Sequence, residues 1–314
     1  MRGTAAPAAA GVCICAAALL AGCAATHGTA LPEGAAAGLP AAAEIAAAPF
    51  FPQEDYQCGP AALATALAHA GRETTPDALV PQVYLPARKG SLQAEMLAAA
   101  RRHGLVAYPL APRLEDLLRE IAAGSPVVVL QNLAFDWAPQ WHYAVAIGYD
   151  LGARSIVLRS GTTRRLEMAL DAFERTWALG GNWAMLALPP ERLPATASEA
   201  SYLTAAAALE RVAAAEARRA YETALARWPA SVAARLGEGN AAYAMRDLAG
   251  AAAAYRRATQ EHPEAADAWN NLAQALHELG SRDAALAAAQ RAVALGGPRL
   301  AAYRETLEEI QRRP

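Results

Sequence analysis

The chain from about residue 198 onward repeats itself every 34 residues, and this repeat constrains the fold more than any other feature of the sequence. Small or aromatic residues recur at three positions of the repeat, namely Ala217, Ala251 and Ala285, then Tyr221, Tyr255 and Ala289, then Ala224, Ala258 and Ala292. Small residues let paired helices approach closely, and an aromatic ring fills the remaining gap. The pattern therefore predicts helix-turn-helix units stacked into an all-α solenoid over residues 198–314.

The unit length and these positions resemble the tetratricopeptide repeat. Trp269, Leu272 and Gly280 fit the first helix and turn of a third unit. The first unit, residues 198–229, lacks the early Trp and Leu, as terminal units often do, and LAAYRETLEEIQRR is expected to form a capping helix. The resemblance implies three units that bind a protein partner.

The first 22 residues have the organisation of an export signal. Met1-Arg2 supplies a positive start, and the following apolar run is shorter than the roughly 20 residues of a membrane-spanning helix. The run ends in LAGC at Cys23, which resembles the lipobox of bacterial lipoproteins. That resemblance implies a lipid on Cys23 that binds the membrane, and Ala24 in place of Asp favours the outer membrane, facing the periplasm. The alternative is an ordinary signal peptide with an incidental cysteine.

Three further segments complete the expected organisation. Residues 23–46 are rich in Ala, Gly and Pro and are predicted to be a flexible tether. Residues 47–194 place helical patterns first and antiparallel strand patterns after them, which is typical of an α+β domain. The predicted helices are CGPAALATALAHAG, SLQAEMLAAARRHG, RLEDLLREIAAG and LDAFERTWAL, and the predicted strands are VAYPLA, PVVVLQNL, HYAVAIGYD, RSIVLRSG and WAMLALPP.

Cys58 and His142 are the candidate reactive residues of this domain. Cys58 lies in QCGP at the start of a predicted helix, where backbone N–H groups favour a thiolate and predict a low pKa. His142 opens a predicted strand and could take the thiol proton and return it to a leaving amine. The simpler alternatives are a small apolar core residue for Cys58 and a histidine without a partner for His142.

The segments FFPQEDYQCGPAALATAL and HYAVAIGYD resemble the papain-like cysteine peptidases of the bacteriocin-processing type, which cut leader peptides after a double glycine. The resemblance runs from Phe50 to about Pro190. It implies a papain-like domain acting on a peptide or protein, with Cys58 as nucleophile, His142 as general base and Gln53 as oxyanion-hole donor. Gln53 stands five residues before Cys58, where the family usually has six.

The residue that orients the histidine departs from the family pattern. The family has Asp or Asn on the strand after the histidine hairpin, and Ser160 stands there in this chain. A serine oxygen can accept from the imidazole N–H, but it cannot stabilise imidazolium as a carboxylate does. Ser160, Asp150 in the hairpin turn, or no residue at all remain the possible orienters.

Composition and motifs exclude several classes of function. A net charge of −2 without a basic cluster argues against nucleic-acid binding, and scattered histidines without ligand spacing argue against a metal site. No phosphate-binding loop or other cofactor motif occurs, so no cofactor is expected.

The sequence predicts a lipid-anchored cysteine peptidase of the cell envelope. A catalytically inactive peptide-binding scaffold, or transglutaminase-like or amidase activity on the same Cys-His pair, are the alternatives.

Overall fold

The structure is a computed structural model that describes residues 38–53 and 57–312. The predicted signal, Cys23 and the first part of the predicted tether therefore lie outside the described residues. From Gly38 onward the chain forms one compact unit. Among the described residues, no helix combines the length and the apolar character that crossing a membrane requires.

The N-terminal part of this unit is a mixed domain of strands and helices. Its strands are β1 (Ala42–Glu44), β2 (Tyr84–Leu85), β3 (Gly90–Ser91), β4 (Val106–Pro109), β5 (Val127–Asn132), β6 (Trp141–Asp150), β7 (Ser155–Ser160), β8 (Thr163–Ala169) and β9 (Ala184–Leu188). Its helices are α1 (Cys58–His69), α2 (Pro76–Val83), α3 (Gln93–Arg102), α4 (Leu114–Ala122) and α5 (Leu170–Leu179).

Seven of the strands form one antiparallel sheet in the order β4-β9-β5-β6-β7-β8, and β1 pairs with the end of β6. β5 is buried along its whole length because helices cover both faces of the sheet. Val128 and Leu130 share a core cluster with α1, whereas Gln131, which points to the other face, donates to Thr176 in α5. Helices followed by an antiparallel sheet confirm the predicted α+β class.

The start of the ordered domain differs from the predicted tether, which was expected to extend to residue 46. β1 pairs with Gly148, Tyr149 and Asp150 of β6. A Cβ atom at Gly148 would lie 3.0 Å from the Ala43 carbonyl oxygen, so glycine permits this close approach. The buried Arg159 guanidinium donates to the carbonyl oxygens of Ala46 and Ala48. Backbone pairing and a buried cation thus fix an alanine-rich segment whose composition suggests mobility.

Seven helices follow the mixed domain within the described residues. They are α6 (Glu199–Glu210), α7 (Ala214–Arg227), α8 (Val232–Ala244), α9 (Leu248–Glu261), α10 (Ala266–Glu278), α11 (Arg282–Leu295) and α12 (Leu300–Arg312). The recurring alanines of the sequence repeat are buried in the second helices of the pairs. The rings of Tyr221 and Tyr255 pack against Gly237 and Gly239, where a Cβ atom would come within 2.3 Å of either ring. Three helix pairs and a final helix confirm the predicted all-α repeat region.

A buried carboxylate fixes the connection between the two parts. Glu120 in α4 is 0% exposed, and its oxygens accept from the backbone N–H groups of Ala195 and Thr196 and from the Thr196 hydroxyl. Tyr202 in α6 donates to the Pro190 carbonyl oxygen. These three donors all come from the linker, which is thereby held against the mixed domain.

Candidate active site

A cleft with a volume of about 1220 Å³ lies where the start of α1 faces the start of β6. Cys58 comes from the helix and His142 from the strand, and Gln53 lies in the segment before the helix. The chain folds this way locally because α1 packs its apolar residues on the sheet, from Ala61 to Leu67. That packing fixes the first turn of α1 at the edge where β6 begins.

Cys58 is the first residue of α1 and a half-buried free thiol. Burial raises the pKa of the Cys58 thiol, while the backbone N–H groups of Tyr143, Gly59 and Cys58 itself lower that pKa by a smaller amount. The low pKa predicted from the sequence is therefore wrong in direction. The expected effect of the helix start is present, but desolvation of the thiolate outweighs it.

The His142 ring lies close to Ser160 at the end of β7. Nε2 of His142 is 2.8 Å from Oγ of Ser160, which is hydrogen-bond distance. If Nε2 carries the proton and donates to the hydroxyl, Nδ1 has a free lone pair that can accept a proton. Burial lowers the pKa of His142, which favours the neutral imidazole that a general base requires.

Gln53 is connected to the same part of β6 through Tyr143. Nε2 of Gln53 donates to the Tyr143 carbonyl oxygen at 3.4 Å, and the Gln53 backbone N–H donates to the Gly161 carbonyl oxygen at 3.2 Å. The backbone N–H of the same Tyr143 favours the Cys58 thiolate. Tyr143 of β6 therefore interacts with both Cys58 and Gln53. This shared contact brings the side chain of Gln53 to the cleft that Cys58 lines.

The structure separates Asp150 from this group. Asp150 ends β6 while His142 stands at its second residue, and eight residues of strand span about 26 Å. Its Oδ1 instead accepts from the Ala153 backbone N–H in the turn to β7. Asp150 cannot orient His142, which leaves Ser160 as the residue in contact with the imidazole.

Sequence reasoning missed two further parts of the cleft. Arg88 and Lys89 lie on its rim beside the short β2–β3 hairpin, and Gly180-Gly181 lies after α5. A Cβ atom at Gly180 would lie 2.1 Å from the Leu130 carbonyl oxygen, and Gly181 has a φ of 70°. Glycines after a helix are a recognisable sequence signal of a helix end. Their position at the border of a cleft, however, depends on contacts between distant segments.

We searched the described residues for clusters of metal ligands. Within residues 38–53 and 57–312, no three His, Cys, Asp or Glu side chains are grouped so that they could hold a metal ion. Cys58, His142 and Gln53 bring a thiol, an imidazole and an amide to the cleft.

Both parts of the chain are similar to known protein families. Residues 45–185 match the model of the Peptidase_C39 like family, and residues 236–299 match a tetratricopeptide repeat model. No curated protein matches the chain. The mixed domain is thus similar to C39-like peptidases and the helical part to tetratricopeptide repeats, which confirms these two of the resemblances found in the sequence.

Three solved structures are similar to parts of the chain. A putative C39-like peptidase from Bacillus anthracis is 18% identical with a TM-score of 0.40, covering 47% of this chain and 97% of that one. A double glycine motif protease from an AMS/PCAT transporter, in complex with the leader peptide, is 19% identical with a TM-score of 0.34, covering 44% and 89%. MamA protein is 17% identical with a TM-score of 0.33; the match covers 36% of this chain and only 62% of MamA.

Proposed function

We propose that this protein is a lipid-anchored cysteine peptidase of the bacterial cell envelope whose helical repeats bind a protein partner. The observation that carries the proposal is the convergence of Cys58, His142 and Gln53 on one cleft. The match of residues 45–185 to a peptidase family supports it. The lipid anchor and the outer-membrane location are proposed from the sequence ending at Cys23.

The proposed reaction has two half-reactions. Nδ1 of His142 takes the Cys58 proton while the sulfur attacks the scissile carbonyl carbon, and the Gln53 amide and the Cys58 backbone N–H donate to the resulting oxyanion. The C–N bond then breaks, the imidazolium gives its proton to the leaving amine, and a thioester remains. A water molecule, deprotonated by His142, hydrolyses the thioester and restores the thiol. The Ser160 hydroxyl holds Nε2 throughout and keeps Nδ1 directed at the cleft.

The partner surface is proposed on the repeats. Two neighbouring grooves, of about 540 and 410 Å³, share Asn271, Gln274 and Arg299 in their walls. Amide and guanidinium groups can pair with the backbone and carboxylates of a peptide. This polar character suits a partner segment bound by hydrogen bonds.

A second candidate function is a peptidase-like domain that binds peptides without cleaving them. Two observations favour it: the imidazole contacts a hydroxyl instead of a carboxylate, and burial shifts the pKa values of Cys58 and His142 toward their neutral forms. Both make the thiolate-imidazolium pair harder to form.

Labelling with a peptidyl electrophile that reacts with thiols distinguishes the two. Wild-type protein should be labelled stoichiometrically at Cys58, whereas Cys58→Ser and His142→Ala should not be labelled and should not cleave peptides. Gln53→Ala should retain labelling and lose on the order of 10²–10³-fold in turnover. Peptide binding without labelling or cleavage in the wild-type protein would favour the inactive binding domain.

A further inference from the structure

The loop between β5 and β6, together with the first residue of β6, exposes an unusual amount of apolar surface. Leu133, Phe135, Trp137 and Trp141 are 44%, 63%, 83% and 56% exposed, and we call these four residues the aromatic tip. The described part of the chain has only six exposed large hydrophobic residues, and four of them belong to the aromatic tip. Large apolar residues exposed together in one short segment are typical of an interaction site.

The loop that carries the aromatic tip is held in a defined conformation. The Asn132 side chain is 1% exposed, and its Oδ1 accepts from the backbone N–H groups of Ala134 at 3.1 Å and Gln140 at 2.9 Å. The rings of Phe135 and Trp137 stack with centroids 5.6 Å apart and planes 9° from parallel. A surface that is ordered before binding loses little conformational entropy when a ligand arrives.

The loop runs directly into the cleft and into the proposed general acid. Pro139, Gln140 and Trp141 line the cleft, and His142 is the next residue. In the proposed reaction the imidazolium gives its proton to the leaving amine, so the ring must stand beside the leaving group. The residues that precede His142 on the same rim therefore border the part of the substrate that follows the scissile bond.

We propose that the aromatic tip binds apolar side chains of the substrate on the C-terminal side of the cleaved bond. This inference rests on the proposed peptidase function and adds the substrate class, namely extended polypeptide segments with an aromatic or branched aliphatic residue just after the cleavage site. The segment leaves when the thioester forms, so the aromatic tip acts on acylation and not on hydrolysis of the thioester.

A membrane surface is the other partner to consider for exposed tryptophans, and the charge of the segment disfavours it. The segment 133–141 contains Asp136 and no Lys or Arg, whereas segments that bind anionic membranes are basic.

The test is cleavage of a proteome-derived peptide library by the full chain, with sequencing of the products. Wild-type protein should enrich aromatic and branched aliphatic residues at the first positions after the cleaved bond by about tenfold, a typical effect of an aromatic contact pair. The double variant Phe135→Ala/Trp137→Ala should lose this enrichment. Val212→Ala, which truncates a 57% exposed residue in the repeat region, is the matched control and should keep it.

Iodoacetamide labelling of Cys58 at the wild-type rate verifies that the double variant is folded, and Trp137→Tyr should retain the enrichment. Cleavage with the same sequence preference in wild type and double variant would overturn the inference alone. No cleavage together with no Cys58-dependent labelling by the peptidyl electrophile would overturn the proposed function and the inference with it. A third measurement uses the full-length Cys23→Ala protein and phosphatidylglycerol vesicles. If this protein binds the vesicles and the double variant in the same background does not, the inference would be overturned in favour of a membrane surface.

Discussion

Burial acts on both members of the proposed catalytic pair in the same direction. It raises the pKa of the Cys58 thiol and lowers the pKa of the His142 imidazole, so both groups favour their neutral forms at rest. In the proposed reaction, charge separation then accompanies attack on the substrate. The imidazolium formed in that step is in contact with the Ser160 hydroxyl, which accepts a hydrogen bond but carries no charge.

The pH dependence of Cys58 alkylation follows from these shifts. Because the pKa of the thiol is raised, the thiolate fraction grows only as the pH passes the ordinary thiol value of about 8.5. The iodoacetamide rate should therefore climb steadily on the alkaline side. A rate that is already maximal between about pH 5 and 7, as for a thiolate-imidazolium pair, would contradict the neutral resting pair.

Ser160→Asp tests which residue orients the imidazole. A carboxylate beside Nε2 would stabilise imidazolium and raise the pKa of His142, and one pKa unit corresponds to roughly tenfold in the ion-pair population. Peptide turnover and neutral-pH alkylation should both increase by up to about that factor. Ser160→Ala is the control, and loss of one neutral hydrogen bond should lower turnover by about fivefold. Equal rates in the Asp and Ala variants would mean that this position does not act on His142.

The parts of the candidate site that depend on local motifs could be predicted from the sequence. Cys58 at a helix start and His142 at a strand start are local features, and the chain carries both. The direction in which the pKa of Cys58 is shifted could not be predicted, because it depends on how much of the chain covers the thiol. The same holds for the backbone of Tyr143, which interacts with Cys58 and Gln53 only because distant segments meet there.

At the scale of elements, segments with a clear apolar pattern were predicted and segments without one were missed. In β8, at the sheet edge, only Leu166 and Met168 are half-buried and the other residues are exposed, so backbone pairing with β7 defines the strand. α2 begins with Thr75 as N-cap and Pro76 in its first turn, a signal that could have found it. Pro81 inside the helix removes a backbone donor and argues against a helix on sequence grounds.

Gly239→Ala should destabilise the repeats although alanine is the better helix former. The new Cβ atom would lie 2.3 Å from Cε1 of Tyr255, and overpacking of this kind costs about 1–3 kcal/mol. That loss exceeds the gain of up to about 1 kcal/mol from helix propensity. Thermal or urea unfolding measures the difference. In a Tyr255→Ala background the same substitution should become neutral or stabilising, and an equal loss in both backgrounds would exclude the ring contact as its cause.

At the scale of the molecule, the junction makes the repeats and the cleft parts of one unit. Glu120 in the mixed domain accepts three hydrogen bonds from the linker, and the Arg219 guanidinium of α7 lies 2.6 Å from the Glu191 carboxylate. The sequence placed a boundary between residues 194 and 198, but it could not indicate that the linker there is fixed. A partner bound to the repeats would accordingly be held in a constant orientation to the cleft.

The proposed membrane attachment of the whole molecule depends on a single residue outside the described part of the chain. If LAGC is a lipobox, Cys23→Ala removes the only sulfur that can receive the lipid at that position. Labelling with a radioactive fatty acid should then disappear, and the protein should move from the membrane fraction to the soluble fraction. Cys15→Ala is the matched control, because it changes a cysteine of the preceding apolar run and leaves LAGC intact. Unchanged fractionation and labelling of Cys23→Ala would show that another part of the chain holds the protein at the membrane.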